Sequence, residues 1–260
     1  MSKQKVTFGI FSDLHYANED DGDRLKSLSL QKLTNAIDFF TKSNVDFIIN
    51  LGDTIDLAES IDAERKLCKE INDTVSTINV PVYHVIGNHD VAMFNKQEFL
   101  HEMNMQNAYY SFTCKGLNFS VLDGNCHEDG SDFSKNNFSW DEAWISKKQL
   151  DWLKNELLIN KEPTIIFCHE RLDGYIYDPI HNPHVIQNYL DVNVIIEKSD
   201  NIIAVFSGHE HTGNISYIDS IPYITCPAMV VGETPAYAIV KIFDDNSIAI
   251  SGVGRFPSIK

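Results

Sequence analysis

Along the chain, short runs of β-branched and apolar residues alternate with longer stretches whose apolar positions recur at helical spacing. Residues 6–11 read as a strand, 27–42 as a helix, and 45–49 as a second strand that ends at Gly52-Asp53. A helix over 58–78 leads into a strand over 82–86, and Pro81 marks the break because proline cannot continue a helical hydrogen-bond ladder. The order is βαβαβ, which predicts parallel strands buried on both faces and joined right-handedly.

Beyond Asp90 the pattern is mixed. A short helix at 97–103 precedes two strands, 109–113 and 117–122, which Lys115-Gly116 joins as a hairpin. Residues 124–142 are rich in Gly, Ser, Asn and acidic side chains with little periodicity, and a loop of that length in a compact domain is functional or mobile. A helix over 146–159 carries Leu150, Leu153, Leu157 and Leu158 on one side, and Pro163 stops it before a strand at 164–168. A helix over 184–197, a strand over 202–206 and several strands within 216–253 complete the pattern. No internal repeat or Pro- or Gly-rich linker divides the chain, so residues 1–260 are expected to form a single domain, an α/β sandwich of two sheets.

Composition narrows the function. With 43% hydrophobic and 11% aromatic residues, the 260-residue chain can bury a sizeable core. A formal net charge of −16 argues against a nucleic-acid surface, because phosphate backbones are gripped by clusters of Lys and Arg. An anionic substrate would also be repelled, unless bound cations dominate the local field. Five cysteines, odd in number and without a CxxC pair, argue against a disulfide framework and a zinc knuckle and are expected to be reduced thiols. The start runs straight into the first strand, and no run approaches the roughly 18 to 20 apolar residues of a membrane helix, so the expectation is a cytoplasmic protein with no membrane partner.

The candidate chemistry lies where the strands end. Asp13 and His15 follow the first strand, Asp53 the second, Asn88 and His89 the third, His169 a later one, and His209 and His211 the next. Ligands of open α/β sheets bind beyond the carboxyl ends of strands, so these segments are expected to converge. Carboxylate, imidazole and amide donors without a thiolate suit Mn, Fe, Zn or Mg. Two such cations about 3.5 to 4 Å apart need a bridging carboxylate, for which Asp53 is the choice.

Asp13-Leu14-His15, Gly52-Asp53, Gly87-Asn88-His89-Asp90, His169 and Gly208-His209-Glu210-His211 resemble, in order, the five motifs of calcineurin-like metallophosphoesterases. That resemblance implies a four-layer α/β/β/α sandwich of two mixed sheets flanked by helices. It also implies one divalent cation held by Asp13, His15, Asp53 and His211, and a second by Asp53, Asn88, His169 and His209. His89 would then serve as general acid oriented by Asp56, with a metal-bridging hydroxide attacking phosphorus in line.

One branch, the manganese-dependent ADP-ribose/CDP-alcohol diphosphatases, is similar in the segment 9–17 followed by Asp20-Asp21-Gly22 and Arg24, in Gln149-Leu150-Asp151-Trp152-Leu153, in Gly213, and in the tail 252–257. The branch implies manganese and a small nucleotide-linked substrate. Glu170-Arg171-Leu172-Asp173 stands where that branch has a Pro-containing loop, and the stretch from His89 to His169 is short for it.

Several residues carry two readings. Arg24 and Arg171 are either a clamp for phosphate or carboxylate groups or ordinary salt-bridge partners. Tyr16 and Tyr175 either stack a base or ribose or simply pack. Asp56 either orients His89 or is a solvated loop acid, and Asp90 is either an acidic neighbour of the site or a helix N-cap. His84, in an apolar strand, reads as a core histidine; His101, His127, His181 and His184 read as surface or loop residues, the last two within reach of substrate. The alternative activities are a phosphomonoesterase, a cyclic nucleotide phosphodiesterase, or a metal-free scaffold that binds partners. The oligomeric state is not legible.

Overall fold

A computed structural model describes residues 2–135, 137–174 and 183–259. The first sheet orders its strands β11-β10-β1-β2-β3, from β1 (Gln4–Phe11), β2 (Phe47–Asn50), β3 (Val82–His84), β10 (Ala236–Phe243) and β11 (Ile248–Gly254). β1, β2 and β3 run parallel, whereas β10 pairs antiparallel with both β1 and β11. The second sheet is ordered β4-β5-β6-β7-β9-β8, from β4 (Tyr110–Cys114), β5 (Leu117–Val121), β6 (Thr164–Phe167), β7 (Ile202–Ser207), β8 (Asn214–Ile218) and β9 (Ile221–Thr225). Its centre is parallel and both of its ends are antiparallel hairpins.

The period of two along each strand decides which layer a residue joins. Val6, Phe8 and Ile10 of β1, Phe47 and Ile49 of β2, Ile165 and Phe167 of β6, and Ala204 and Phe206 of β7 all enter one core between the sheets. Phe8 stacks on Phe47 at 4.9 Å and meets Phe119, Phe167 and Phe206 edge-on at about 6 Å, arrangements that add to the burial of each ring. Intervening residues such as Phe11 and Ile48 face an outer core under α1 (Ser29–Lys42), α2 (Ile61–Val75) and α3 (Lys96–Glu102). On the opposite side, Ile166 and Val205 face α4 (Lys147–Ile159) and α5 (Tyr189–Glu197). The architecture is therefore the four-layer α/β/β/α sandwich.

Two helix boundaries differ from the sequence pattern. Helix α2 begins at Ile61, where Ser60 accepts a hydrogen bond from the Ala63 N–H, and it ends at Val75. Helix α5 begins at Tyr189 rather than at 184, because the preceding residues are taken up by pairing: the Arg171 N–H donates to the His184 carbonyl and the Ile186 N–H to the Arg171 carbonyl. The hairpin turn is as expected, with Lys115 and Gly116 both at positive φ, 48° and 71°. Among the described residues no helix is long and apolar enough to cross a membrane.

Candidate metal centre

The chain leaves β1, β2, β3, β6 and β7 at the same edge of the two sheets, and short loops carry the candidate ligands from there. Asp13, His15, Asp53 and His209 all sit at positive φ, between 43° and 64°, a region non-glycine residues seldom occupy. Their strain is held in place by mutual hydrogen bonds: Asp13 N–H to Gly52 O at 3.0 Å, His15 N–H to Asp53 O at 2.8 Å, and His209 N–H to the Asp13 carboxylate at 3.0 Å. Gly52, at φ 100°, passes so close to the next loop that a Cβ would lie 2.7 Å from Gly87 N and 2.8 Å from His169 Nδ1. Asp90 ties the second and third loops together, accepting from Thr54 N–H at 2.7 Å, Ile55 N–H at 3.2 Å and Gly87 N–H at 2.9 Å. Of the two readings of Asp90, the structure thus shows an acid buried beside the site and no N-cap.

These loops gather the donors into three overlapping groups, Asp13 with His15 and His211, His15 with Asp53 and His89, and Asp53 with His169 and His209, each within 4.8 Å. Asp53 Oδ2 lies between the groups, 3.3 Å from His15 Nε2 and 3.2 Å from His169 Nε2. Burial alone would raise the Asp53 carboxyl, but the surrounding His169, His15 and His89 imidazoles outweigh it and hold it well below the usual range. Burial pulls the His15 imidazole down to about 3, against the opposing pull of the Asp53 and Asp56 carboxylates.

The orphaned atoms show what the site is built for. Asn88 is buried with neither its Oδ1 nor its Nδ2 hydrogen-bonded, and the Nε2 of buried His169 makes no well-aligned hydrogen bond, although the Asp53 carboxylate is 3.2 Å away. The His169 ring donates through Nδ1 to the Leu51 carbonyl at 2.8 Å, which turns Nε2 toward the Asp53 carboxylate and the centre. A buried amide and imidazole left unsatisfied are costly unless a cation completes them, so the donor set fits two divalent ions with Asp53 between them.

His89 stands at the margin. Its backbone N–H donates to Asp53 Oδ1 at 2.8 Å and its Nδ1 to Asp56 Oδ1 at 2.9 Å. Asp56 is buried rather than solvated, and its other oxygen receives Arg24 Nη2 and Lys26 Nζ, both at 2.8 Å. Burial would raise the Asp56 carboxyl, but the His15 and His89 imidazoles beside it, His89 through a hydrogen bond, hold it far below its ordinary value. Burial likewise pulls His89 down, and Asp53 and Asp56 more than compensate, leaving it above its ordinary value.

The substrate-contact expectations divide. Arg24 lines the cavity above the centre while holding Asp56. Arg171 does not face that cavity: only 2% exposed, its guanidinium is held by Asp173 at 2.7 Å, with Glu210 3.8 Å away. Tyr16 is buried in the outer core and donates its hydroxyl to Glu70, so it packs instead of presenting a ring to substrate. Tyr175 and His181 lie outside the described residues. His184 lines the cavity, while His84 is buried beside Asn50 and belongs to none of the cation groups. Sequence reasoning missed Lys26, Phe138 and Trp140. The only signal for the last two was the length of their loop.

Fold and site together define a dinuclear metal-dependent hydrolase of phosphoester or phosphoanhydride bonds. The chain matches the calcineurin-like phosphoesterase family over residues 6–213 and belongs to it. It is 25% identical to the manganese-dependent ADP-ribose/CDP-alcohol diphosphatase of Arabidopsis thaliana, covering 97% of this chain and 95% of the relative. Identity to the Homo sapiens protein of the same name is 24%, covering 98% and 92%. Among solved structures, a dimetal phosphatase from Danio rerio superposes with a TM-score of 0.86 at 21% identity, over 99% of this chain and 98% of that one, which shows a shared fold.

Proposed function

We propose that this protein is a manganese-dependent diphosphatase that cleaves the phosphoanhydride bond of nucleoside diphosphate-linked small molecules such as ADP-ribose or a CDP-alcohol. Asp13, His15, Asp53 and His211 would hold one cation, and Asp53, Asn88, His169 and His209 the other. The observation that carries this reading is the buried Asn88 amide, with neither polar atom hydrogen-bonded, in the same cavity wall as Asp53, whose carboxylate lies within about 3.3 Å of both His15 and His169. The substrate class is inferred from the near full-length similarity to relatives bearing that activity in their names.

When bound, the two cations neutralise the phosphate charge and lower the pKa of the attacking water. The protein's own groups do the rest. Asp56 accepts from His89 Nδ1–H, which orients the ring and favours its protonated form, so that Nε2–H can donate to the departing oxygen. Arg24 and Lys26 bind the other oxygen of Asp56 and fix the carboxylate against the His89 ring. The five unpaired cysteines fit a reducing cytoplasmic setting.

The test is to strip the protein of metal, restore Mn, and incubate it separately with ADP-ribose, CDP-choline, cyclic AMP and p-nitrophenyl phosphate. The expected products are AMP and CMP from the first two. Turnover confined to cyclic AMP or p-nitrophenyl phosphate would discard the diphosphatase assignment and leave the metal-dependent phosphoesterase.

A further inference from the structure

Above the donor cluster lies a cavity of about 510 Å³, the size of a small-molecule site. Among the described residues its walls are charged, imidazole or amide groups, with two exceptions: Phe138 and Trp140. Both come from the loop between Phe133 and Trp144. Its two ends are tethered, by Lys96 Nζ on Asp123 at 2.6 Å and Asp132 at 2.5 Å, and by backbone bonds from Trp144 N–H to the Gly124 and Cys126 carbonyls. Phe138 and Trp140 are thereby held over the centre.

The two rings stand on different sides. Phe138 lies edge-on to His89, with centroids 5.7 Å apart at 68°, and is backed by Phe133 at 6.5 Å. Trp140 lies 6.2 Å from His184, whose ring is 5.2 Å from that of His209. The indole is 49% exposed, an unusual position for the largest apolar side chain of a folded protein and one that offers ring surface beside the cavity.

Resting on the nucleotide-linked reading above, we propose that Trp140 is a specificity-determining residue that stacks on the planar base of the substrate, with Phe138 closing the wall next to His89. Both purine and pyrimidine rings present a π-face, so one indole serves an adenine and a cytosine alike. A hydrogen-bonding pocket for one base would not. The wall thus explains how a site whose remaining lining is polar can favour a nucleotide over any other phosphate that the cations would accept.

The experiment compares AMP with ribose 5-phosphate, which share ribose and phosphate and differ in the base, by calorimetric titration of the Mn-loaded protein. AMP is expected to bind roughly ten- to a hundredfold more tightly, as for a single stacked base. Trp140→Ala should remove most of that advantage and leave ribose 5-phosphate unchanged, and Trp140→Phe, which keeps a ring, should restore much of it. Equal affinities in the unmutated protein, no measurable AMP binding, or an AMP advantage that survives Trp140→Ala would each overturn the assignment. AMP is the expected product and not the substrate of the diphosphatase, so a failure of base recognition is seen separately from a failure to hydrolyse ADP-ribose.

Discussion

His89 and Asp53 touch through a backbone N–H, yet the geometry gives them different work. Asp53 belongs to two of the three donor groups, whereas His89 belongs to one and its ring is engaged by Asp56. His89→Ala is therefore expected to lower kcat by about 10²- to 10⁴-fold, the usual worth of a positioned acid, with bound metal nearly intact. Asp53→Ala should lose metal as well as activity. Metal analysis of both purified variants decides the matter, and equal metal loss would abolish the division of roles.

A second single residue makes a prediction about pH. Glu64 is fully buried, one oxygen lacks a partner, and burial pushes its carboxyl up to about 7 from 4.5. Between those values the folded protein keeps a proton that the unfolded chain has released, so this group takes stability away as pH rises from about 4.5 to about 7. Glu64→Gln should flatten that slope and stabilise the protein at pH 7.5 by something on the order of 1–3 kcal/mol. Thermal melts of the two proteins across that pH window measure it.

Helices and strands were legible where periodicity and punctuation agreed. The period-two faces of β1, β2, β6 and β7, the Pro81 break and the Lys115-Gly116 turn all follow from local chemistry. Helix α5 starts later than its sequence pattern predicts because residues 184–186 pair with the segment after β6, a contact between distant stretches that no local pattern reveals. The same reason hid Arg171 in a buried pair with Asp173 and brought Phe138 and Trp140 over a centre formed by other loops. The ligand candidates were visible for the opposite reason: each directly follows a strand, so parallel topology alone carries them to one edge. Asp90 shows how that edge is held. Asp90→Ala removes an acceptor shared by three buried N–H groups and is expected to cost about 2–4 kcal/mol and to weaken metal retention, since Gly87 and Thr54 flank the ligand loops. Melting with and without a chelator would show whether stability and metal binding fall together.

Taken across its full length, the chain presents a contradiction that only bound cations resolve. A protein of net charge −16 gathers Asp13, Asp53 and Asp56 in a buried cluster and is read as acting on an anionic phosphate. Two divalent ions at the donor cluster would reverse the sign of the field there. The four-layer fold serves this by aiming five strand ends from two sheets at one point.

The most direct measurement is a titration of Mn into chelator-stripped protein, with bound metal counted by mass spectrometry and AMP formation from ADP-ribose followed in the same samples. Activity should be absent from the stripped protein and should rise to a plateau as the second cation per chain binds. Undiminished AMP formation by protein shown to be metal-free would contradict the dinuclear site and the mechanism built on it.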